Sequence, residues 1–408
     1  FKQSFFESVM KKLFPRLLRA IGHPYEKCRD HIASLLYRIC NCHRKFLNFL
    51  QRCPPEYSQQ PSLSWIDNGD IQISPGNAIV EMLNAKGIEE YSFKEKQHSM
   101  ITARKFIAYC VHMGDGEYEF SSFVIPLIPF TFDALRVSEE GSSSSQNNQL
   151  EISASDRALE AEVSKNFRYS LAEISSSCLI TYDGKEDMTR ILNAIDTVSK
   201  NPTWQIRQAA AHFLRCFQGC HTFLFSEEQT AKTTGIVEVL LADERREVSS
   251  AAMAALTGIL AGTNSISVSH LVATQVKVAR ASIIKKKRKN AKSTPTENGT
   301  TNAKNGKDLT EKEMNRAKKQ QSSVFFLCAV VLANPYDTPS FVPEALEALS
   351  KHSFEHRATL AVRDTVKKVF SEFKRTHMND NWEVHRKQFN REQLEALEDV
   401  VSTPHYYA

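Results

Sequence analysis

The sequence predicts an all-α fold, a solenoid of stacked antiparallel helix pairs, and three observations carry that prediction. Apolar residues recur at helical spacing over long stretches separated by short turns containing Gly or Pro. Gly and Pro are scarce, at 14 each in 408 residues, and hydrophobic residues make up 41%, which favours packed helices over a β-sandwich or a disordered chain. One helical pattern also repeats. Trp204-Gln205-Ile206-Arg207-Gln208-Ala209-Ala210-Ala211-His212-Phe213-Leu214 returns in form as Glu247-Val248-Ser249-Ser250-Ala251-Ala252-Met253-Ala254-Ala255-Leu256, with Ile206 and Val248 offset by 42 residues. Cys28-Arg29-Asp30-His31-Ile32-Ala33-Ser34-Leu35-Leu36 fits the same frame, arginine included. An aliphatic residue, small residues and a leucine at this period mark the inner helix of a HEAT/ARM-like repeat. Ala209, Ala210, Ala251 and Ala252 are small because neighbouring helices must approach closely.

Residues 1–137 read as a first block of helical repeats. Lys2 to Ile21 has helical spacing and Gly22 stops it; a second helix opens after Pro24 and runs to Pro54-Pro55, with Cys28, Ile32, Leu36, Ile39 and Phe46 on one face. Residues 54–76, rich in Pro, Ser, Gln and Asn, read as a surface loop. Helices resume over Asn77–Ala85 and Ile88–Met113 and close at Gly114-Asp115-Gly116. Ser121 to Phe132 alternates proline with large apolar residues, as a buried connector or an exposed strip for a partner would, burial being the commoner case.

Residues 138–156 hold a Ser/Asn run with little to bury and read as a mobile linker. A second repeat block spans 157–284. Residues 285–322 read as a basic disordered insertion, too polar to fold alone. Residues 323–403 form a C-terminal set of helices, with one turn at Pro335 and Pro339 and another from His377 to Asn381. Pro404-His405-Tyr406-Tyr407-Ala408 is left as a stiffened exit and a short tail, at 404–408.

Charge and composition exclude several classes. The formal net charge of +5 is local in origin: 12 Lys/Arg face 4 Asp/Glu between Lys285 and Lys319, so the remainder carries −3 and no direct nucleic-acid partner is indicated. The longest apolar run, Val324 to Ala333, is far short of a bilayer span, so no membrane partner is expected. Nine cysteines, mostly inside apolar helical patterns, suit a reducing compartment. A start at Phe1 with no initiator methionine suggests a piece of a longer protein. No phosphate loop, zincin motif or Gly-x-Ser-x-Gly elbow is present, so catalysis is not expected. Three groups have the ligand types for zinc: Cys40, Cys42, His43 and Cys53; His212, Cys216, Cys220 and His221; and His352 with Glu355 and His356. None forms paired knuckles in a small domain, and no metal or cofactor is expected.

The last quarter is the most distinctive. Pro335-Tyr336-Asp337-Thr338-Pro339, then Phe373-Lys374-Arg375-Thr376-His377, Asp380-Asn381-Trp382, His385, Phe389, Gln393-Leu394 and the terminal Tyr-Tyr-Ala are uncommon residues in a fixed order. From about Asn334 to Ala408 they resemble the C-terminal end of the large single-chain HEAT-repeat activators of the 20S proteasome, the proteasome activator complex subunit 4 family. Before that point the likeness is only repeat-like. The resemblance implies an ATP-independent, non-catalytic activator that caps the 20S α ring and opens its gate. Tyr406 would fill the apolar mouth of a pocket between α subunits, Tyr407 would hydrogen-bond through its hydroxyl, and the Ala408 carboxylate would pair with a pocket lysine.

The same resemblance places a bromodomain-like region at about 216–284, and acetylated histones and DNA repair among the expectations. The family's pocket asparagine would correspond to Asn264 beside Thr263, after Leu256-Thr257-Gly258-Ile259-Leu260; the phenylalanine that should follow it is missing here. Inositol polyphosphate is an expected bound ligand, with Arg207, Arg245 and Arg246 as candidates that no motif assigns. Lys285-Lys286-Lys287-Arg288-Lys289 reads as a nuclear-import patch or as a solvated linker, giving nucleus and cytoplasm as the expected locations. Two alternatives need no proteasome: a nuclear scaffold or transport solenoid, and an independent histone reader.

Overall fold

The computed structural model describes residues 12–52, 75–85, 92–113, 123–135, 153–177, 185–263, 265–283, 303–354, 359–379 and 381–401. Among the described residues the regular structure is helical throughout, packed as helix pairs, in two compact units, Phe1–Thr230 and Ala231–Ala408.

In the first unit, helix α1 (12–19) turns into α2 (Glu26–Arg52), and α3 (Pro75–Ala85) and α4 (Phe93–Met113) follow. A connector of one 3₁₀ turn (Ile125–Leu127) and the short α5 (Ile128–Asp133) leads to α6 (Ala154–Ser175), α7 (Lys185–Val198) and α8 (Trp204–His221). α2 packs on α4, α4 on α6 and α6 on α8, so contacts pass from one repeat to the next as a solenoid requires. Phe14, Ile21, Leu36, Phe106, Phe167 and Phe217 fill the core. The hydroxyl of Thr102 donates to the Ile21 carbonyl at 2.7 Å and that of Tyr37 to Met113 at 2.5 Å, tying these layers together.

The repeating arginine has a local cause. Nη1 of buried Arg29 donates to the carbonyls of His23 (2.9 Å) and Pro24 (2.7 Å), and Nη1 of Arg207 donates to Asn201 and Pro202, both at 2.8 Å. In both repeats the guanidinium reaches back over one helical turn and holds the turn that precedes its own helix. The 42-residue period also shows in the turns: Asn201 Oδ1 accepts from the amide of Thr203 and Asp243 Oδ1 from that of Arg245, each at 2.9 Å. In the third copy serine, Ser249, stands where the arginine was, and its hydroxyl donates to the Arg246 carbonyl at 3.2 Å. Arg29→Met keeps the stem and removes both bonds from a buried site. It is expected to destabilise the first unit by about 2 kcal/mol, read as a lower urea midpoint at unchanged slope.

The proline-interrupted stretch from Phe123 to Leu135 is a buried connector. Phe123, Val124, Leu127, Ile128 and Phe132 are buried, and Phe132 meets Phe213 edge-on at 5.8 Å. Pro126 and Pro129 sit in the first positions of the two short helices, where their missing N–H groups cost nothing. The expected linker ends three residues early, because Ser153 caps α6 by accepting from the Asp156 amide at 3.2 Å.

The chain passes into the second unit along α9 (Glu227–Leu241), and α10 (Arg246–Ala261), α11 (Ser265–Ser282) and α12 (Ala303–Leu332) follow. Val324 to Val331 of α12 are all buried, and α12 packs against α10, α11, α13 (Phe341–Ser353) and α14 (Leu360–Phe373). Burial there pushes the Cys328 thiol far up, so it behaves as a small apolar side chain.

Another boundary differs from the expectation. The stretch expected to be disordered up to residue 322 is helical from Ala303, because the buried end of α12 nucleates a helix that continues outward through polar residues. Polar contacts hold its nearer part: Gln321 Nε2 donates to the carbonyls of Leu241 (2.9 Å) and Asp243 (2.8 Å), and Lys318 pairs with Glu244 at 3.0 Å.

Candidate functional site

The distinctive residues of the last quarter converge at the end of the second unit. α14 leads into one π-helical turn, Lys374–Met378, then into α15 (Trp382–Arg386) and α16 (Arg391–Val401). In the π turn the Asn379 amide reaches the Lys374 carbonyl at 3.2 Å. The widened turn lays buried His377 flat on buried Phe373, four residues earlier, with ring centroids 4.2 Å apart and planes at 16°. Asn381 then adopts a left-handed conformation, φ 47°, which asparagine tolerates better than most side chains. This reversal brings α16 back against α13 and α14.

Rings and polar contacts close the cluster. His385 stands edge-on to His377 at 4.8 Å, Phe389 edge-on to Phe373 at 6.1 Å, and Trp382 lies 5.7 Å from Phe389. His377 Nε2 donates to the Asp337 carbonyl at 3.2 Å, its Nδ1 pairs with the Thr376 hydroxyl at 2.8 Å, and Thr338 Oγ1 pairs with His385 Nδ1 at 2.9 Å. The turn at 337–338 and the turn at 374–381 are thereby locked together. A reciprocal cap starts α16: the Asn390 amide donates to Gln393 Oε1 (3.0 Å) and the Gln393 amide to Asn390 Oδ1 (2.8 Å). Leu397 and Val400 are its buried residues. The cluster therefore fixes how α14 is joined to α16.

Burial holds the His377 imidazole below its usual 6.5, with the neighbouring His385 in the same sense, against backbone carbonyls that favour the cation. The unfolded chain thus binds a proton more readily than the fold. His377 contributes stability that is present above about pH 6.5 and lost as pH falls from there through the lower folded value. The urea midpoint of the second unit is expected to fall between pH 7.5 and 5.5, and His377→Gln to flatten that dependence.

Most expected site residues lie outside the described residues: Tyr406, Tyr407 and Ala408, Lys285 to Lys289, and Asn264. Thr263 is half-buried, and its hydroxyl donates to the Ile259 carbonyl at 2.8 Å, so it closes the end of α10. Arg207 holds a turn, while Arg245 and Arg246 are exposed at the start of α10. Among the described residues no group of three or more His, Cys, Asp and Glu side chains could hold a metal ion. His221 is buried between the carbonyls of Phe217 (2.9 Å) and Ser177 (2.8 Å), and His212 is exposed. Buried His352 faces Gln320 at 3.2 Å. The interlocked histidines were not assigned a role from sequence; the one local signal was His377 standing four residues after Phe373 in a helical frame.

Residues 317–408 match the family described as "Proteasome activator complex subunit 4-like, C-terminal". The chain is 29% identical over 221 residues to the Arabidopsis thaliana proteasome activator subunit 4, which covers 54% of this chain and 11% of the relative. To the Homo sapiens proteasome activator complex subunit 4 it is 29% identical over 220 residues, covering 53% and 11%. To the Bos taurus protein it is 30% identical over 220 residues, with the same coverage. The chain thus spans 11% of the length of these relatives. A chain of the solved Kap95p–RanGDP structure aligns over 98% of this chain and 52% of its own length, at a TM-score of 0.34 and 9% identity. The resemblance drawn from residues 334–408 stands: the chain is similar to the C-terminal portion of proteasome activator complex subunit 4.

Proposed function

We propose that this chain is the docking end of an ATP-independent, non-catalytic activator that caps the 20S proteasome. The observation that carries this reading is the coincidence of the family match, 317–408, with the interlocked rings that lead from α14 into the start of α16. In this reading Tyr406, Tyr407 and the carboxylate of Ala408 enter a pocket between two α subunits and bias the gate toward its open state. The apolar ring, the hydroxyl and the charge are three different handles for one small pocket. A tail of this size binds weakly alone, so the helical body must supply further contact and hold the tail at high local concentration.

The basic run Lys285 to Lys289 supports entry into the nucleus within the same reading, with function in both nucleus and cytoplasm. The resemblance alone supports inositol polyphosphates as ligands and acetylated histones, read through Asn264, as partners. The test uses the full-length protein containing this chain, 20S proteasome and a short fluorogenic peptide, without ATP. A several-fold rise in hydrolysis with co-migration of the two proteins is expected. Absence of both stimulation and co-migration would overturn the reading in favour of a scaffold solenoid.

A further inference from the structure

A cleft of about 340 Å³ lies within the first unit between α6 and α8, a size at the lower end of the range for small-molecule sites. Leu171 and Ala172 of α6 and Ala209 and Phe213 of α8 give it apolar walls, and Arg168, His212 and Cys216 stand among them. One repeat position is left uncovered here. Ala209 is half-buried, whereas Ala251, its counterpart 42 residues on, is 6% exposed.

The charge on this cleft is one-sided. No Asp or Glu lines it. Burial, then Arg215 and Arg168, hold the His212 imidazole below its usual 6.5, with no carboxylate acting in the opposite sense. Elsewhere arginines find carboxylates, as Arg190 does at Asp187 and Arg280 at Glu347. Among the described residues neither Arg168 nor Arg215 has a hydrogen-bond or ion-pair partner. A concave, positive site without acids excludes cations and concentrates anions. Its apolar walls disfavour an anion with no apolar surface, such as an inositol polyphosphate, whose hydration they would strip without return. An oxyanion joined to a short hydrocarbon or aromatic body meets both conditions.

We propose that the α6–α8 cleft binds a small amphiphilic organic anion, its carboxylate or phosphate head held by Arg168 and His212 and its apolar body resting on Leu171, Ala209 and Phe213. Protonation of His212 adds a positive charge beside the head group, so binding tightens as pH falls. The site does not depend on the proteasome reading.

The test titrates the 408-residue chain with hexanoate and with hexyl phosphate. Calorimetry gives the affinity, and the rate at which iodoacetamide alkylates Cys216 gives the place. Saturable binding in the millimolar range or tighter is expected for at least one of the two, and the tighter one names the head group. Alkylation should slow several-fold at half-buried Cys216 and stay unchanged at exposed Cys220, which does not line the cleft. Hexanol and hexyltrimethylammonium, which have the body without the anion, should bind at least tenfold more weakly. Arg168 and His212 are exposed, so Arg168→Gln and His212→Gln should leave the melting temperature unchanged. Each should weaken binding by about three- to fivefold, because exposed charges are partly screened, and the double variant by about tenfold. Between pH 7.5 and 5.5 the parent chain should gain about twofold or more in affinity for hexanoate, and His212→Gln should gain nothing. Ala172→Leu, which fills part of the cleft with no change in charge, should weaken binding as well. The proposal is overturned by no saturable binding of either anion, by equal binding of hexanol or hexyltrimethylammonium, or by unchanged affinity in the double variant.

Discussion

Removing Tyr406, Tyr407 and Ala408 is expected to abolish stimulation of the 20S proteasome while leaving the melting temperature of the protein unchanged. The two halves of this expectation have separate causes. Val400 is the last buried residue of α16, so no described core contact is lost with the three residues beyond it. The tail holds the charge and the two rings on which the proposed docking rests, and a tethered ligand gains orders of magnitude from local concentration only while it has an intrinsic affinity to amplify. Tyr407→Phe, which removes one hydroxyl, should cost about tenfold in activation midpoint, against complete loss for the deletion. Peptide hydrolysis over a titration of activator, with a parallel thermal melt, reads both. Unchanged stimulation by the truncated protein would mean that the body alone opens the gate.

Phe373→Ala should reach the same functional end by the opposite route. Phe373 is 1% exposed and is the ring against which both His377 and Phe389 pack. Truncating a buried phenylalanine costs about 3–5 kcal/mol, a large share of the stability of an ordinary domain. The loss falls on the joint between α14 and α16, so stimulation should drop although Tyr406, Tyr407 and Ala408 are intact. Amide exchange in α16 should quicken more than in α2 or α4, and Phe373→Leu should recover most of the stability. Equal exchange across the whole molecule would show that the ring cluster does not hold α16.

Much of this was legible because helical repeats write their geometry locally. Gly22 and Pro24 mark a turn that Arg29 closes from within its own helix, and the same chemistry recurs at Asn201, Pro202 and Arg207. The 42-residue period read from Ile206 and Val248 reappears in the side chains that cap the preceding turns. The helix at 303–322 was hidden for a physical reason. Its residues lack an apolar stripe, and their helicity comes from continuity with the buried run at 324–331. The π turn was hidden because His377 is held partly by the Asp337 carbonyl, 40 residues away, which no local pattern reveals.

The position of α12 has a consequence for how the second unit comes apart. A helix buried on every side from Val324 to Val331 cannot be peeled away singly, since α10, α11, α13 and α14 would each lose their packing surface with it. The core of the second unit, α10 to α14, must therefore open nearly all at once. The first unit, in which α2, α4, α6 and α8 touch in series, can fray from one end. Mechanical or proteolytic attack on the first unit would then be graded, and on the α10–α14 core of the second a matter of all or nothing.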